Sequence, residues 1–397
     1  MGSRDYFLKR TILTLLFAFC YSLFASRIWA FDVGLMLDQN AYYSGVESDI
    51  AFAYKGVAIP RLSGLMGNIG EFYISAGINY QYNPWGFVPE LLRTELSFSG
   101  NGLELSLGRM SYSDPLGFIA SGLLDGGRFS FNTKAGTFSL GAWYTGLIYK
   151  KRITIEMTED EANSNKATLN YGDFFGSYFA PRRVLIAFDW EHQGLGERVF
   201  ARFSFLGQVD FTGAELNSQY LIGKMIVPFE IFSAGFGGCF ELIENSENRG
   251  MASALELELA WKTASQGLSL LVRYSSAKSG SLAMFLPVTT NAQGQILAAK
   301  LSGLSMASLD YTARLHRTFT IGFTPSFFFR NDFNNAYGNT SGKFFMGAEF
   351  FGAFYWNPLP DISVNLGGGA FLPSLRNDTP DGKTFWKVEL NLVLSLF

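Results

Sequence analysis

The chain has 397 residues, 48% of them hydrophobic and 16% charged, with 43 glycines and 40 phenylalanines. Its formal net charge is −3 and no basic block stands out, which argues against a nucleic-acid partner. Two cysteines and two widely separated histidines, His192 and His316, leave no disulfide framework, no zinc ligand set and no implied cofactor.

Residues 1–30 read as a secretory signal. Arg4, Lys9 and Arg10 give a positive start, and the apolar run 11–24 is too short to span comfortably as a helix. Ile28-Trp29-Ala30 ends on a small residue, so cleavage is expected after Ala30. The competing reading is an uncleaved anchor. A lipoprotein signal is disfavoured because Phe19 precedes Cys20. Cleavage removes Cys20 and leaves Cys239 alone.

From residue 31 onward, apolar and polar residues alternate with a period of two, the mark of strands with one apolar face. Val33, Leu35 and Leu37 open an upward strand, and Ile50, Phe52 and Tyr54 return. Phe72, Ile74, Ala76, Ile78, Tyr80 and Tyr82 form the next apolar face, and 83–90 an outer loop. Leu92, Thr94, Leu96 and Phe98 descend opposite Arg93 and Glu95 to a tight turn at Gly100-Asn101-Gly102. Leu103, Leu105 and Leu107 ascend to a long loop, 109–125. Phe129 and Phe131 descend opposite Arg128, and Phe138 to Tyr144 ascend to the longest outer loop, 149–182.

Val184, Ile186, Phe188 and Trp190 then descend opposite Arg183 and Asp189, and Val199 to Phe211 ascend opposite Arg202 and Asp210. Alternation is least tidy over 220–227. Phe232 to Leu242 ascend, Met251 to Trp261 descend opposite Glu256 and Glu258, and Leu268 to Tyr274 ascend opposite Arg273. After a long loop, 275–302, Ala307 to Leu315 descend opposite Asp310 and Arg314, and Phe319 to Phe329 ascend opposite Arg330. A loop at 331–342 leads to Phe344 to Trp356, descending opposite Glu349, and Ile362 to Ala370 ascend. In the last strand Trp386, Val388, Leu390, Leu392, Leu394 and Leu396 share one parity, and Lys387, Glu389, Asn391 and Ser395 the other.

That closing strand, ending on Phe397, resembles the terminal strand of bacterial outer-membrane β-barrels. It departs from them in one respect: Phe397 sits one position off the apolar parity. The expected fold is all-β, an antiparallel up-and-down transmembrane barrel over 31–397. It has about 18 strands (16–18), short periplasmic turns and long extracellular loops. A helical membrane protein would need apolar runs of about 20 residues, which are absent. A closed sheet also pairs every backbone group in lipid. Aromatic girdles are expected at Trp190, Trp261 and Trp356 below, and at Tyr80, Tyr82, Tyr274, Phe329 and Trp386 above. The implied partners are outer-membrane lipid, the barrel-assembly machinery and small solutes; oligomeric state is left open.

The polar parity would line the pore with Arg93, Glu95, Arg128, Arg183, Asp189, Arg202, Asp210, Glu256, Glu258, Arg273, Asp310, Arg314, Arg330 and Glu349. Their signs are mixed, so no single-sign selectivity ring is read. For any one of them, pairing across strands to hold the wall is an equal alternative. Gly108-Arg109-Met110-Ser111-Tyr112-Ser113-Asp114, with Leu124-Asp125-Gly126 after it, is similar to segments of alginate-export and related substrate-specific porins. That resemblance covers residues 103–149 and its motifs are loose. It implies a loop folded inward to constrict the pore, with Arg109, Asp114 and Asp125 at the narrow point. The alternative is an ordinary outer loop whose Gly and Asp residues serve turns. The charges Lys150, Lys151, Arg152, Glu156, Glu159, Asp160 and Glu161 read as a solvated run, since EF-hand spacing is missing.

The expected role is passage of small hydrophilic solutes through a polar, mixed-charge lumen. Inward Phe200, Leu206 and Phe328 keep a fatty-acid-type transporter open, and a surface or adhesin barrel with a closed lumen is a third reading. No nucleophile motif supports an enzyme.

Overall fold

The structure, a computed structural model, describes residues 31–46, 49–82, 85–196, 198–213, 215–245, 249–278, 283–331, 344–374 and 384–396. The signal segment, Phe397 and most of the loop expected at 331–342 lie outside the described residues.

One 18-stranded antiparallel sheet makes up the fold. Its strands are β1 (Phe31–Val46), β2 (Asp49–Met66), β3 (Gly70–Tyr82), β4 (Gly86–Gly100), β5 (Leu103–Ser113), β6 (Ser121–Thr133), β7 (Gly136–Tyr144), β8 (Arg183–Leu195) and β9 (Val199–Asp210). They continue as β10 (Asn217–Phe229), β11 (Phe232–Glu244), β12 (Arg249–Lys262), β13 (Gln266–Ser275), β14 (Leu304–Arg314), β15 (Phe319–Arg330), β16 (Phe345–Leu359), β17 (Ile362–Pro373) and β18 (Phe385–Leu396). Each strand pairs with the next, and β1 pairs with β18 from Leu35↔Leu396 to Val46↔Phe385, which closes the barrel. Closure leaves no unpaired edge.

The alternation maps onto the two sides of this wall. Along β12, Leu255, Leu257 and Leu259 are 41–46% exposed on the outside, while Glu256 between them is 2% exposed inside. A continuous apolar outer surface is stable only if something other than water covers it. Trp190, Trp261 and Trp356 fall at the turn ends of β8, β12 and β16. Tyr80, Tyr82, Tyr274 and Trp386 fall at the loop ends of β3, β13 and β18, on the same outer parity. Tyr80 has a second task there: its hydroxyl and that of Tyr54 both donate to the Gln39 side chain, a polar group on the outer face of β1.

The structure corrects the expected order in two places. Residues 86–90 belong to β4 and are not loop. A bulge opposite Ser75 and Ala76 skips Leu92 in the β3–β4 register, so Leu92 turns inward against Gly77 instead of continuing the outer face of Leu96 and Phe98. Residues 109–113 and 121–125 are strand rather than loop. The least tidy of the expected strands, 220–227, is indeed strand, within the 13-residue β10. Elsewhere the local chemistry matches: Asn101 and Gly102 both have positive φ (51° and 78°), as a two-residue hairpin turn requires.

Two short helices, α1 (Glu159–Lys166) and α2 (Phe174–Tyr178), lie in the β7–β8 loop. That loop, the β13–β14 loop and the tip of the β5–β6 hairpin enter the barrel. They share one apolar core with inward side chains of β8 to β12. Ile119, Leu124, Ile148, Ile155, Phe285 and Val288 meet Leu185, Ala187, Leu206, Ile222 and Ala254, all 0% exposed. Burying each large side chain of this set contributes about 1.5–3 kcal/mol, so these loops are packed rather than draped.

Candidate functional site: the inward loops and the lumen

The β5–β6 hairpin leaves the wall at a pair of glycines. Pairing of β4 with β5 ends at Thr94↔Arg109, and pairing of β6 with β7 starts at Asp125↔Tyr144. Beyond those positions, 110–113 and 121–124 pair only with each other. Gly108 and Gly126 face one another at the base. A Cβ on Gly108 would overlap the Thr94 carbonyl oxygen, and one on Gly126 the Ala142 carbonyl oxygen. Gly108 also has φ +112°, a conformation that favours glycine. Directly above the bend, Arg109 Nε and Nη2 each donate to Asp125 at 2.8 Å, and Arg109 also donates to the carbonyls of Leu91 and Leu147. At the tip, Asp114 accepts the backbone N–H groups of Leu116, Gly117, Ile119 and Ala120 at 2.8–2.9 Å. Burial pushes its carboxyl group above the usual range, and the four donors oppose that shift.

The tip crosses the lumen. Leu116 fills the space left by Gly237 on β11, and the Phe118 ring lies 4.8 Å from the Arg273 guanidinium on β13. Three entering segments are then tied together. Thr289 donates to the Ile119 carbonyl at 3.0 Å, Asn291 to Ser121 at 2.9 Å, and Thr290 to the Thr154 carbonyl at 2.7 Å. The wall holds them with buried charges. Glu161 at the start of α1 caps its own helix with Thr158 and also accepts Arg183 Nη2 at 2.6 Å. Glu349 on β16 accepts the consecutive N–H groups of Gln295, Ile296 and Leu297 at 2.6–2.9 Å. Arg273 bonds Glu256 at 2.8 Å and Gln293 of the β13–β14 loop at 2.9 Å.

All the residues expected to line the pore lie on the inward parity, but not all meet water. Arg183, Asp210, Glu256 and Glu349 are covered by the loops; the structure corrects their expected place on an open wall, because the inward segments pack over them. Much of the set is paired: Arg93 with Glu95 at 2.6 Å, Arg128 with Glu104 at 3.9 Å, Arg202 with Glu191 at 3.6 Å, and Glu258 with Lys224 at 3.6 Å. Asp189 lies 3.5 Å from the Tyr112 hydroxyl, and Asp310 accepts Thr324 at 3.0 Å. Arg314 lines a cavity of about 350 Å³ at the turn end of β14, and Arg330 ends β15 at the loop side. Arg109 and Asp125 are strand partners at the hairpin base, not loop residues, and Asp114 is a buried turn organiser. Leu206 and Phe328 are packed in apolar clusters beneath the loops and line no apolar path.

Among the described residues, open space remains beside the loops, against β1 to β4 and β14 to β18. Between the β7–β8 loop and β1 to β4 is a cavity of about 680 Å³. Lys55, Lys151, Arg152 and Lys166 line it with Tyr42, Trp85, Tyr149 and Tyr171. Its one acid, Glu90, is held by Arg152 at 2.7 and 2.9 Å and by Asn79 at 2.9 Å. The Tyr42 ring has the ammonium groups of Lys55 and Lys387 each 5.6 Å from its centre. Burial lowers the Lys151 ammonium pKa and Lys55 adds to that, with Glu156 opposing. A second cavity of about 360 Å³ lies on β14 to β18 and β1, with Asn40 in its lining. Asn40 and Tyr42 are successive inward residues of β1, so the cavities share a wall. The sequence reading missed Tyr42, Lys55, Glu90, Lys224 and Lys387. Lys387 already stood on the polar parity of the last strand and Lys224 meets Glu256 and Glu258 of β12; Tyr42, Lys55 and Glu90 depend on where the β7–β8 loop lies.

With this geometry in hand, no protein-family model and no curated protein sequence matches the chain. Solved structures do. OccK2 (OpdF) of Pseudomonas aeruginosa aligns over 92% of this chain and 97% of its own, with TM-score 0.64 and 12% identity. The same channel in complex with glucuronate aligns over 92% and 96%, with TM-score 0.61 and 13% identity. OpdK of P. aeruginosa with vanillate aligns over 92% and 98%, with TM-score 0.62 and 9% identity. This chain has the fold of those outer-membrane proteins. The alignment runs across nearly the full length of both partners.

Proposed function

We propose that the protein is an outer-membrane channel that passes small hydrophilic solutes along one side of its lumen. One observation carries this reading: among the described residues, a closed barrel with an apolar outer face has loops packed over β8 to β12 and keeps open cavities against β1 to β4 and β14 to β18. The 680 Å³ and 360 Å³ cavities beside shared strand β1 are then successive stations of the path. Export through a signal cleaved after Ala30, insertion by the barrel-assembly machinery and residence in outer-membrane lipid belong to the same reading.

The upper station favours anions. Lys55, Lys151 and Lys166 line it, and Glu90 is already committed to Arg152. The glucuronate and vanillate of the similar structures are both small carboxylates, which supports this preference. A fatty-acid-type transporter fits less well, because the inward apolar residues are consumed in loop packing.

Liposome swelling tests the proposal. Proteoliposomes of residues 31–397 are expected to swell fastest in small organic anions, more slowly in neutral solutes of equal size, and slowest in cations. Swelling no faster than in protein-free vesicles, from a protein that is folded, would overturn it.

A further inference from the structure

The lower cavity has a chemistry unlike the cationic vestibule above it. Asn40 on β1 and Asn365 on β17 are both cross-strand partners of Asn391 on β18. Adjacent strands are about 4.8 Å apart, so the three carboxamides stand in a row across the wall. Asn391 donates to Asp38 at 2.6 Å and accepts Asn365 at 3.4 Å. A carboxamide both donates and accepts, whereas a lysine only donates. Across the cavity Thr324 and Asp310 continue the hydroxyl and carboxylate lining, and Gln295 of the β13–β14 loop also lines it.

The same cavity has aromatic rings set against glycines of neighbouring strands. A Cβ on Gly322 would sit 3.6 Å from the Tyr355 ring, and one on Gly367 2.6 Å from the Phe351 ring. The missing side chain of Gly367 lets the Phe351 ring approach the wall, and Tyr355 lies beside Gly322 at ordinary contact distance. Phe351 is buried, but Tyr355 is 37% exposed, so it offers a free surface to the lumen. An aromatic surface beside a row of groups that both donate and accept suits a ring with an apolar C–H face and a rim of hydroxyls. A volume of about 360 Å³ falls in the range that holds one small ligand.

We infer that the lower cavity is a binding station for a pyranose-sized polyhydroxy solute, seated on Tyr355 and hydrogen-bonded by the Asn40, Asn391 and Asn365 row. This deepens the channel reading above and rests on it for the route by which the solute arrives. The two stations divide recognition: the vestibule attracts charge, and the lower cavity reads hydroxyls.

The experiment is a titration of the refolded protein in a planar bilayer with D-glucose, alongside calorimetry of glucose binding in detergent. Glucose is expected to reduce the single-channel current saturably. Tyr355→Ala and Asn391→Ala should each raise the half-blocking concentration about tenfold, the loss of one good contact. Asn365→Ala is a second test should Asn391→Ala fail to fold. Lys166→Gln, in the vestibule, should leave the glucose block in place. Current steps that glucose does not block, or a block that neither cavity variant weakens, would overturn the inference and leave the channel standing. Glucose binding in detergent, weakened by the cavity variants but without current steps, would support the site while sinking the channel.

Discussion

The wall from β8 to β12 and the wall from β14 through β18 to β4 have the same outer face and different inner faces. On the first, Leu185, Ala187, Leu206 and Ile222 point inward into a core built with the entering loops. On the second, Lys55, Asn40, Asn391 and Asp310 point into cavities. Lipid imposes one rule on every strand from outside, whereas the inside obeys whatever sits opposite. Where a loop lies against the wall, as over β8 to β12 and over Phe328 and Glu349 on β15 and β16, the inner face needs apolar contact and partnered charges; where a cavity lies against it, it needs neither. Under the loops the mixed charges of the lumen hold structure; beside the cavities Arg93 with Glu95, Arg152 with Glu90 and Lys387 with Glu389 also pair, while Lys55, Lys151 and Lys166 line the upper cavity.

The largest expected effect comes from breaking the filled half at its most buried charge. Arg183→Ala leaves Glu161 and Asp210 without their cation and should destabilise the β7–β8 loop by about 3–5 kcal/mol. Rapid proteolysis within 145–182 in a barrel that otherwise stays folded would show it; unchanged protection would mean the pair does not anchor the loop. Next is Leu116→Ala, which empties the space over Gly237 at a cost of about 2–4 kcal/mol. It should appear as larger, noisier current steps, and wild-type steps would place the hairpin tip outside the gate. Smaller again is Glu349→Gln. It keeps an acceptor for the β13–β14 loop but removes the charge behind three hydrogen bonds, a loss of about 1–2 kcal/mol. More frequent brief opening transitions at unchanged main conductance are the expected record.

The smallest effect concerns the open half. Lys151 holds its proton less tightly than an ordinary lysine, through burial and the neighbouring Lys55. As pH rises above neutral, Lys151 loses its charge before an unperturbed lysine does. Anion preference, read from the reversal potential in a salt gradient, should therefore begin to fall before the range where ordinary lysines titrate. A preference that stays flat until then would remove Lys151 from the selectivity account.

The barrel was legible in the sequence because lipid on one side and the lumen on the other force a period of two on every strand. Where reading faltered, an inner neighbour was responsible. β10 looked irregular because Tyr220 and Ile222 are buried inward while Leu221 and Met225 face out, which leaves it apolar on both sides. Leu92 was misplaced because a bulge leaves no mark in composition. Gly108, Arg109, Asp125 and Gly126 were visible as a motif, and the inward hairpin they form was one of two readings open at that stage. That Glu161 reaches Arg183, and that Lys151 and Lys166 face Tyr42 across a cavity, depends on the path of a 38-residue connection between β7 and β8. Nothing in the order of its residues fixes that path.

The contrast between the two halves can be measured directly. In a Cys239→Ser background, a single cysteine replaces Asn40 on the open side or Ser204 on the filled side, where it is buried. Each variant is recorded as single channels before and after a water-soluble, negatively charged thiol reagent. The contrast between the two halves predicts steady steps from both, reduced by the reagent at position 40 and unaffected at position 204. A folded barrel without steps, or a block at 204 with none at 40, would contradict it.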